Sequence, residues 1–278
     1  MAGKPKTLSF IKMEALGNDC IVIDALRSRF QESPRFVRKL CHRQFGIGAD
    51  QLLVLSKSRK ADFKMRVFNA DGSEAEMCGN GIRCVARYIR EMKYTAKREM
   101  MIETLAGIRL VRVTSKNVQV NLGAPKLKGK EIPAHLSGRI INRPLKIDTK
   151  DFRITCLSLG NPHCIIFQEN LETFDVKRFG SLIENHHLFP NRVNVSFVNV
   201  LSTTGMKVRV WERGAGETLA CGTAGAATLV AAVLNGFTER KAKVELAGGE
   251  LEVEWNREDN SVWISGPAEK VFEGQYTL

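Results

Sequence analysis

The chain lacks the features that mark membrane and secreted proteins. No apolar run within its 278 residues approaches the ~20 residues of a membrane-spanning helix, so we expect no membrane partner. The N-terminal Met-Ala-Gly-Lys-Pro-Lys-Thr has no apolar core of the kind found in signal peptides. These two absences predict a cytoplasmic protein.

Paired cysteine motifs are also lacking. The cysteines are odd in number and include no CxxC pair, which argues against a disulfide framework and a zinc site. We expect reduced thiols and no bound metal, with most of the thiols buried, since free cysteine is among the most buried residue types. The seven are Cys20, Cys41, Cys78, Cys84, Cys156, Cys164 and Cys221.

Aromatic residues are scarce, at 7% of the chain, although the net charge is +12. A nucleic-acid-binding protein would be expected to interleave aromatic with basic residues or to carry a recognisable module, and neither is present. The basic residues cluster instead at helical spacing, which is typical of a solvated helix face. The charge therefore favours an anionic small-molecule substrate, or merely solubility, and we expect no nucleic-acid partner.

The apolar patterns predict an α+β protein with short strands and few helices. Strands are predicted at 8–13, 20–23, 51–55, 63–68, 108–113, 118–122, 155–159, 164–167, 243–255 and 261–265. Helices are predicted at 34–44, 81–92 and 225–234. The last helix is rich in alanine and almost uncharged, so it should be buried in the middle of its lobe. The Pro-, Gly- and Lys-rich segment 123–144 predicts a linker between an N-terminal lobe, 1–124, and a C-terminal lobe, 125–266.

One stretch of the sequence occurs twice. Residues 64–81 and 207–224 each contain an alternating strand, a polar turn and a Cys-Gly pair that leads into a helix. The shift of 143 residues that brings Cys78 onto Cys221 also brings Leu16-Gly17-Asn18 onto Leu159-Gly160-Asn161. One gapless shift over separated segments indicates an internal duplication. The repeated positions are polar and lie in turns, where function concentrates, so we expect two similar lobes to present both cysteines to one ligand across a cleft.

Both cysteines precede a glycine and the predicted start of a helix. A helix N-terminus carries unpaired N–H groups and a partial positive charge, so we expect each thiol pKa to lie below its free value of roughly 8.5. The N–H groups of Gly79-Asn80 and Gly222-Thr223 are placed to hold a substrate carboxylate, which glycine allows to come close to the backbone.

A thiolate and a thiol on opposite sides of an amino acid would suit inversion of its α-carbon. Inversion removes a proton from one face and delivers a proton to the other. Three alternatives stay open on the residues alone: a redox cysteine pair, a nucleophilic Cys-His enzyme and purely structural cysteines. A redox pair usually shows CxxC, and a single nucleophile would not explain why its surroundings occur twice.

At these motifs the sequence resembles the diaminopimelate epimerase family. The resemblance spans nearly the whole chain in the family's order, and the two cysteine motifs are its most specific part. The matching stretches are 16–19, 45–51, 68–74, 77–81, 160–163, 192–194 and 212–223.

The resemblance implies pyridoxal-independent epimerisation of LL-diaminopimelate to meso-diaminopimelate, a step of lysine and peptidoglycan precursor synthesis, without cofactor or metal. It implies that Cys78 and Cys221 are the acid/base residues and that His163 and Glu212 assist them. The residues implied to bind the substrate are Asn18, Gln51, Asn69, Gly79, Asn80, Asn161, Asn194, Glu212, Arg213, Gly222 and Thr223.

The resemblance also implies the architecture. Each of two pseudo-symmetric lobes is a mixed, mostly antiparallel sheet or barrel around a central helix, and a strand at 267–278 returns to the first lobe. The active site would lie in the cleft between the lobes, and a homodimer is compatible with the family. Two positions depart from the family pattern: Cys20, where an aromatic residue is common, and Ala224-Gly225, which interrupts the usual glycine-first order after Thr223.

Two other functions compete with this one. A racemase of the same fold could act on another amino acid such as histidine, but the residues implied to hold the distal end of diaminopimelate would then have no purpose. Those residues are Asn69, Asn161, Asn194 and Arg213, with Gln51 in the same pocket. The second competitor, from another class, is a basic nucleic-acid-binding or scaffold protein with structural cysteines.

Overall fold

The order of strands and helices repeats along the chain, as the sequence repeat does. The computed structural model describes residues 7–28 and 30–278. These residues form two units: the first contains the described residues up to Val120 and Gly266–Leu278, and the second contains Asn121–Ser265. Both units combine a sheet with a few helices, which confirms the α+β class.

The first part of the chain builds most of the first unit. Its strands are β1 (Thr7–Ala15), β2 (Asn18–Asp24), β3 (Gln51–Ser56), β4 (Phe63–Asn69), β5 (Glu74–Ala75), β6 (Glu99–Thr104), β7 (Gly107–Val113) and β8 (Val118–Asn121). Its helices are α1 (Pro34–Cys41) and α2 (Gly79–Glu91). Neighbouring strands are antiparallel except for the parallel pairs β2–β3 and β4–β6.

The second unit follows the same plan. Its strands are β9 (Ile140–Ile147), β10 (Lys150–Ser158), β11 (Pro162–Phe167), β12 (Asn194–Ser202), β13 (Gly205–Glu212), β14 (Gly216–Thr218), β15 (Lys241–Leu246), β16 (Gly249–Trp255) and β17 (Val262–Gly266). Its helices are α3 (Val176–Glu184) and α4 (Gly222–Leu234). The parallel pairs β11–β12 and β13–β15 occupy the same places as those of the first unit. The last strand, β18 (Glu269–Thr277), pairs with β1 in the first unit.

The structural repeat keeps the register of the sequence repeat. The shift of 143 residues places β1 on β10 and α2 on α4 without a gap. It also brings α1 close to α3, a helix that the apolar pattern does not predict but the shift does. The duplication is therefore a duplication of the backbone frame.

Each unit surrounds one buried helix. In α4, every residue from Gly222 to Ala232 is buried, as predicted for a helix that is apolar on all sides. Helix α4 contacts β10, β11, β12, β13, β15 and β16, and α2 contacts β1, β2, β3, β4, β7 and β18. No helix among residues 7–28 and 30–278 is long and apolar enough to cross a membrane.

The two central helices begin earlier than predicted. Predicted starts at Gly81 and Gly225 move to Gly79 and Gly222. The apolar pattern places the starts too late because glycine has low helix propensity. Cys78 and Cys221 are the N-caps, with extended backbones at φ −131° and −128°, and a capped first turn can form despite its glycines.

The prediction of a linker at 123–144 is wrong. The segment belongs to the second unit, contains a 3₁₀ turn at Gly129–Glu131 and ends in β9, which pairs with β10. Ile132 and Ile140 are fully buried in the core of that unit. The proline and glycine content shapes turns on the surface of a packed core instead of a linker.

The packing of this segment can be tested at Gly129. A Cβ on Gly129 would lie 1.8 Å from the backbone oxygen of Leu136, so Gly129→Ala should lower the free energy of unfolding by about 2 kcal/mol or more. The control is Gly123→Ala, where φ is +83° but a Cβ would meet no described atom within 4 Å. Its loss should be limited to about 1 kcal/mol from backbone strain. Equal losses in urea unfolding would contradict the packing argument.

Candidate active site

Both repeated cysteines lie at the start of a buried helix. Cys78 precedes the first residue of α2 and Cys221 precedes the first residue of α4. The first backbone N–H groups of a helix have no partner within it and carry a partial positive charge. Gly79 and Gly222 leave these groups without a flanking side chain, so each helix start can accept an anion.

The Cys78 cluster comprises Cys78, Asn18, Asp50 and Gly81. The N–H of Gly81 donates to Cys78 Sγ at 3.3 Å, and the thiol faces Asn18 Oδ1 at 3.8 Å. Asn18 in turn donates through its side chain to Asp50 at 3.1 Å. Cys78 is partly exposed. The structure thus brings Asn18 and Cys78 together, and it places Gly79 and Asn80 directly after the thiol.

A charged network fixes the turn that carries Asn18. Arg43 donates to both oxygens of Asp19, at 2.9 and 3.0 Å, and to Asp50 at 2.6 Å. Lys12 pairs with Asp19 at 2.7 Å. Burial acts to raise the pKa of Asp19, but hydrogen bonds from Arg43, Lys12 and the Asp50 backbone outweigh it and hold that pKa well below its ordinary value. The network therefore stays charged at neutral pH.

Gln51 and Asn69 form an amide pair in the same unit. Gln51 Nε2 donates to Asn69 Oδ1 at 3.2 Å, and Asn69 donates to Ser73 Oγ at 3.1 Å. The other end of Gln51, its Oε1 atom, is buried without a hydrogen-bond partner in the described part of the chain. A buried unpaired acceptor costs about 1–3 kcal/mol, a cost that a ligand donor could offset.

Arg83 is a buried arginine that the sequence pattern does not reveal. Its guanidinium is fully buried and donates to the backbone oxygen of Gly79 at 3.2 Å and to Asn80 Oδ1 at 3.0 Å. It also donates to the oxygen of Pro267 at 3.2 Å. An arginine on a helix is usually solvated, so only the fold shows that this one holds the first turn of α2.

The Cys221 cluster comprises Cys221, Thr223, Glu212 and Thr218. The Cys221 thiol is 7% exposed and lies 3.5 Å from Thr223 Oγ1. Thr218 donates its hydroxyl to Glu212 at 2.6 Å, and the Glu212 carboxylate also acts on the thiol. The N–H of Gly225 donates to the oxygen of Cys221 at 3.0 Å, so the Ala224-Gly225 order leaves the helix start intact.

The expectation of a lowered thiol pKa is wrong for Cys221. Burial raises the pKa of Cys221 well above its ordinary value, and the nearby negative charge of Glu212 raises it further. The Thr223 hydroxyl and the Ala224 backbone N–H lower the pKa by less. The helix start is too weak to ionise a buried thiol beside a carboxylate, so Cys221 is protonated at neutral pH.

His163 supports the Cys221 cluster through Asn161. Its Nε2 lies 3.0 Å from Asn161 Oδ1, which can only accept, so Nε2 carries the proton. Asn161 then donates to Thr223 Oγ1 at 3.1 Å. Burial, with the charge of Arg213, lowers the pKa of His163 to about 3, and the imidazole is neutral. Its Nδ1 atom has no hydrogen-bond partner among the described residues.

Asn194 and Arg213 are joined through the backbone. Asn194 is buried, donates to the oxygen of Pro162 at 2.9 Å and accepts from the N–H of Arg213 at 3.0 Å. The Arg213 guanidinium donates to the oxygen of Asn191 at 3.3 Å and is partly exposed. Asn194 therefore fixes the turn that presents Arg213.

Repeated charges support both cysteine turns. Arg66 donates to both carboxylate oxygens of Glu74, at 2.6 and 2.8 Å, and Arg209 donates to Glu217 at 2.8 Å. Each pair joins the strand before the turn to the short strand after it. These matches in the sequence repeat therefore stabilise the hairpins that lead to Cys78 and Cys221.

The predicted site residues are thus divided between the units. The first unit holds Cys78, Asn18, Gln51, Asn69, Gly79 and Asn80, and the second holds Cys221, His163, Asn161, Asn194, Glu212, Arg213, Gly222 and Thr223. In the described ranges 7–28 and 30–278, no three or more His, Cys, Asp or Glu side chains are grouped so as to hold a metal ion.

Comparison with known proteins identifies the family. The sequence model of the diaminopimelate epimerase family matches residues 10–128 and 155–271. The chain belongs to this family. It is 48% identical to a diaminopimelate epimerase of Acetivibrio thermocellus over 98% of this chain and 99% of that protein. It is 47% identical to the diaminopimelate epimerase of a Methanococcus maripaludis strain, over 98% of this chain and 100% of that protein.

Solved structures of more distant proteins share the fold. A Bacillus anthracis phenazine biosynthesis protein of the PhzF family matches with a TM-score of 0.72 at 22% identity, over 98% of this chain and 100% of that one. A hydroxyproline epimerase from Agrobacterium vitis matches with a TM-score of 0.72 at 13% identity, over 97% of this chain and 91% of that one. The fold of the diaminopimelate epimerase family is therefore common to proteins with other functions.

The contrast between the two thiols predicts different reactivity. Since the thiolate is the nucleophile, iodoacetamide at neutral pH should label the partly exposed Cys78 faster than Cys221, by about tenfold or more. Glu212→Gln should speed the labelling of Cys221, because removing the carboxylate charge lowers that pKa. Peptide mass spectrometry measures both rates, and Glu172→Gln, at an exposed carboxylate, serves as the control. Slower or unchanged labelling of Cys221 in Glu212→Gln would contradict the assigned role of Glu212.

Proposed function

We propose that the protein interconverts LL- and meso-diaminopimelate by transferring protons at one α-carbon with Cys78 and Cys221. The observation that supports this most is the matched placement of two thiols at the starts of α2 and α4 in a chain of the diaminopimelate epimerase family. A duplicated frame that presents the same acid/base group twice suits a reaction with one proton transfer on each face.

The helix starts would stabilise the charge that develops. Removing the α-proton leaves an electron pair that spreads into the substrate carboxylate, and the N–H groups at Gly79 and Gly222 are suited to an anion. A single pre-arranged donor of this kind can change a rate by about 10²–10³-fold. The absence of a side chain on either glycine keeps the approach open.

The proton balance needs one thiolate and one thiol. The thiolate takes the α-proton, the electron pair of the broken C–H bond forms the new C–H bond, and the other thiol gives up its proton on the opposite face. The protonated state of Cys221, caused by burial and Glu212, supports the presence of a proton donor in the resting enzyme. The reverse reaction exchanges the two roles.

Glu212 and His163 would assist in different ways. The Glu212 carboxylate keeps a proton on Cys221. His163 is neutral, with its pKa lowered to about 3, so we propose that it orients Asn161 and Thr223 instead of transferring a proton at neutral pH. Asn18 and Asn80 would contact the reacting amino-acid end beside Cys78.

The distal amino-acid end would be held by Gln51, Asn69, Asn161, Asn194 and Arg213. A guanidinium binds a carboxylate through two parallel hydrogen bonds, which suits Arg213. The unpaired Gln51 Oε1 suits a substrate ammonium. Asn194 would act through the backbone of Arg213, to which it is bonded. A racemase of histidine would leave these groups without a partner, so we do not favour that alternative.

We further propose that the enzyme works in the cytoplasm without pyridoxal phosphate or a metal ion. The support is chemical, because the thiols supply acid and base and the helix starts supply charge stabilisation. Turnover should persist after hydroxylamine and EDTA treatment followed by dialysis. Loss of activity that is restored by a metal or by pyridoxal phosphate would refute this part of the proposal.

Isotope exchange tests the proposed reaction. With LL-diaminopimelate in D₂O, deuterium should appear at the α-carbon of the meso product before it appears in the remaining substrate, because the incoming proton comes from a different thiol. Cys78→Ala and Cys221→Ala should each lower epimerisation by about 10²–10⁴-fold or more, the usual contribution of a general acid or base. Proton NMR and chiral chromatography follow exchange and inversion.

The control is Cys41→Ala, which removes a buried thiol at the end of α1 and should leave turnover nearly unchanged per folded molecule. No exchange by the folded wild-type protein would sink the proposed function. Exchange with L-histidine but not with diaminopimelate would favour the alternative. Near-normal turnover in either Cys78→Ala or Cys221→Ala would rule out the two-base scheme.

A further inference from the structure

The carboxylate of Glu184 is buried and accepts three hydrogen bonds. Glu184 is the last residue of α3 and is 5% exposed. Its Oε2 accepts from Trp211 Nε1 at 2.7 Å, and its Oε1 accepts from the backbone N–H of Gly214 at 2.8 Å. Arg192 donates to Oε1 at 3.3 Å. A buried carboxylate is tolerated when its charge is paired and its oxygens are hydrogen-bonded, and Glu184 meets both conditions.

These partners lie on both sides of Glu212 and Arg213. Trp211 precedes this pair of residues and Gly214 follows it, so one carboxylate fixes both ends of the turn. Helix α3 lies directly against the turn, since a Cβ on Gly180 would come within 2.6 Å of the Trp211 side chain. The carboxylate therefore controls where two proposed site residues begin.

The equivalent turn of the first unit is held with the opposite polarity. The shift of 143 residues brings Asp71 onto Gly214. There Arg38 of α1 donates to the backbone oxygen of Asp71 at 3.0 Å, whereas Glu184 of α3 accepts from the backbone N–H of Gly214. The Glu184 contact is thus an addition to the duplicated frame, and it occurs in the copy that carries Glu212 and Arg213 in place of Asn69 and Ala70.

We propose that Glu184 is a positioning residue that aims Arg213, and thereby sets the preference for a substrate with a second amino-acid end. It acts through the Trp211 and Gly214 contacts and does not touch the substrate. This role rests on the proposed function, because it assumes that Arg213 binds the distal end of diaminopimelate.

The test is Glu184→Gln, alone and combined with Arg213→Ala. A glutamine side chain keeps one acceptor oxygen but turns an NH₂ group toward an N–H donor, so one end of the turn is released. For LL-diaminopimelate we expect kcat/KM to fall about tenfold, mainly through KM, in the native background and less than about twofold in the Arg213→Ala background. Glu172→Gln, an exposed carboxylate in the same unit, should change neither parameter.

Each result decides the matter. A similar loss of kcat/KM in both backgrounds, or an unchanged kcat/KM in Glu184→Gln, would overturn the positioning role while leaving the proposed function intact. Absence of exchange in the wild-type protein would overturn the proposed function and this role together. If Glu184→Gln fails to fold by circular dichroism, Trp211→Phe decides instead. It removes only the indole N–H donor and should lower kcat/KM about threefold, again only when Arg213 is present.

Discussion

The unpaired N–H groups at the start of a buried helix are the constraint on which the rest of each unit depends. Helices α2 and α4 are enclosed by strands, so their first N–H groups must be satisfied inside the protein or by a ligand. In α2, the Cys78 sulfur satisfies one of them. The remaining groups lie beside glycines, which add no side chain. Burying the helix therefore creates the anion site and selects the residue that caps it.

The same frame surrounds its two thiols with different electrostatics. Asn18 is held by a charged network of Asp50, Arg43 and Asp19. Its counterpart, Asn161, is held by a neutral histidine. The Cys221 thiol is buried beside Glu212 and keeps its proton, whereas Cys78 is partly exposed. Duplication thus fixed the positions of the reacting groups, and later substitutions in the neighbouring turns set their protonation.

Features that depend on local pattern could be predicted from the sequence, and features that depend on distant contacts could not. The gapless repeat predicted which turns carry Cys78 and Cys221, and the alanine-rich pattern predicted that α4 is buried. Arg83 binds the oxygen of Pro267, 184 residues away, and no local spacing distinguishes it from a solvated arginine. The pKa of Cys221 depends on burial and on Glu212, and segment 123–144 packs through contacts that its composition does not encode.

The satisfied and unsatisfied amides show where the symmetric frame became specific. Gln51 and Asn194 occupy equivalent positions at the starts of β3 and β12. Asn194 uses both ends of its amide within the protein, whereas Gln51 leaves Oε1 buried and unpaired. An unpaired buried acceptor costs about 1–3 kcal/mol, a large fraction of the stability of a domain. Selection for stability alone would remove such a cost, so its retention at one copy of a repeated position is best explained by a ligand donor that pairs with Gln51.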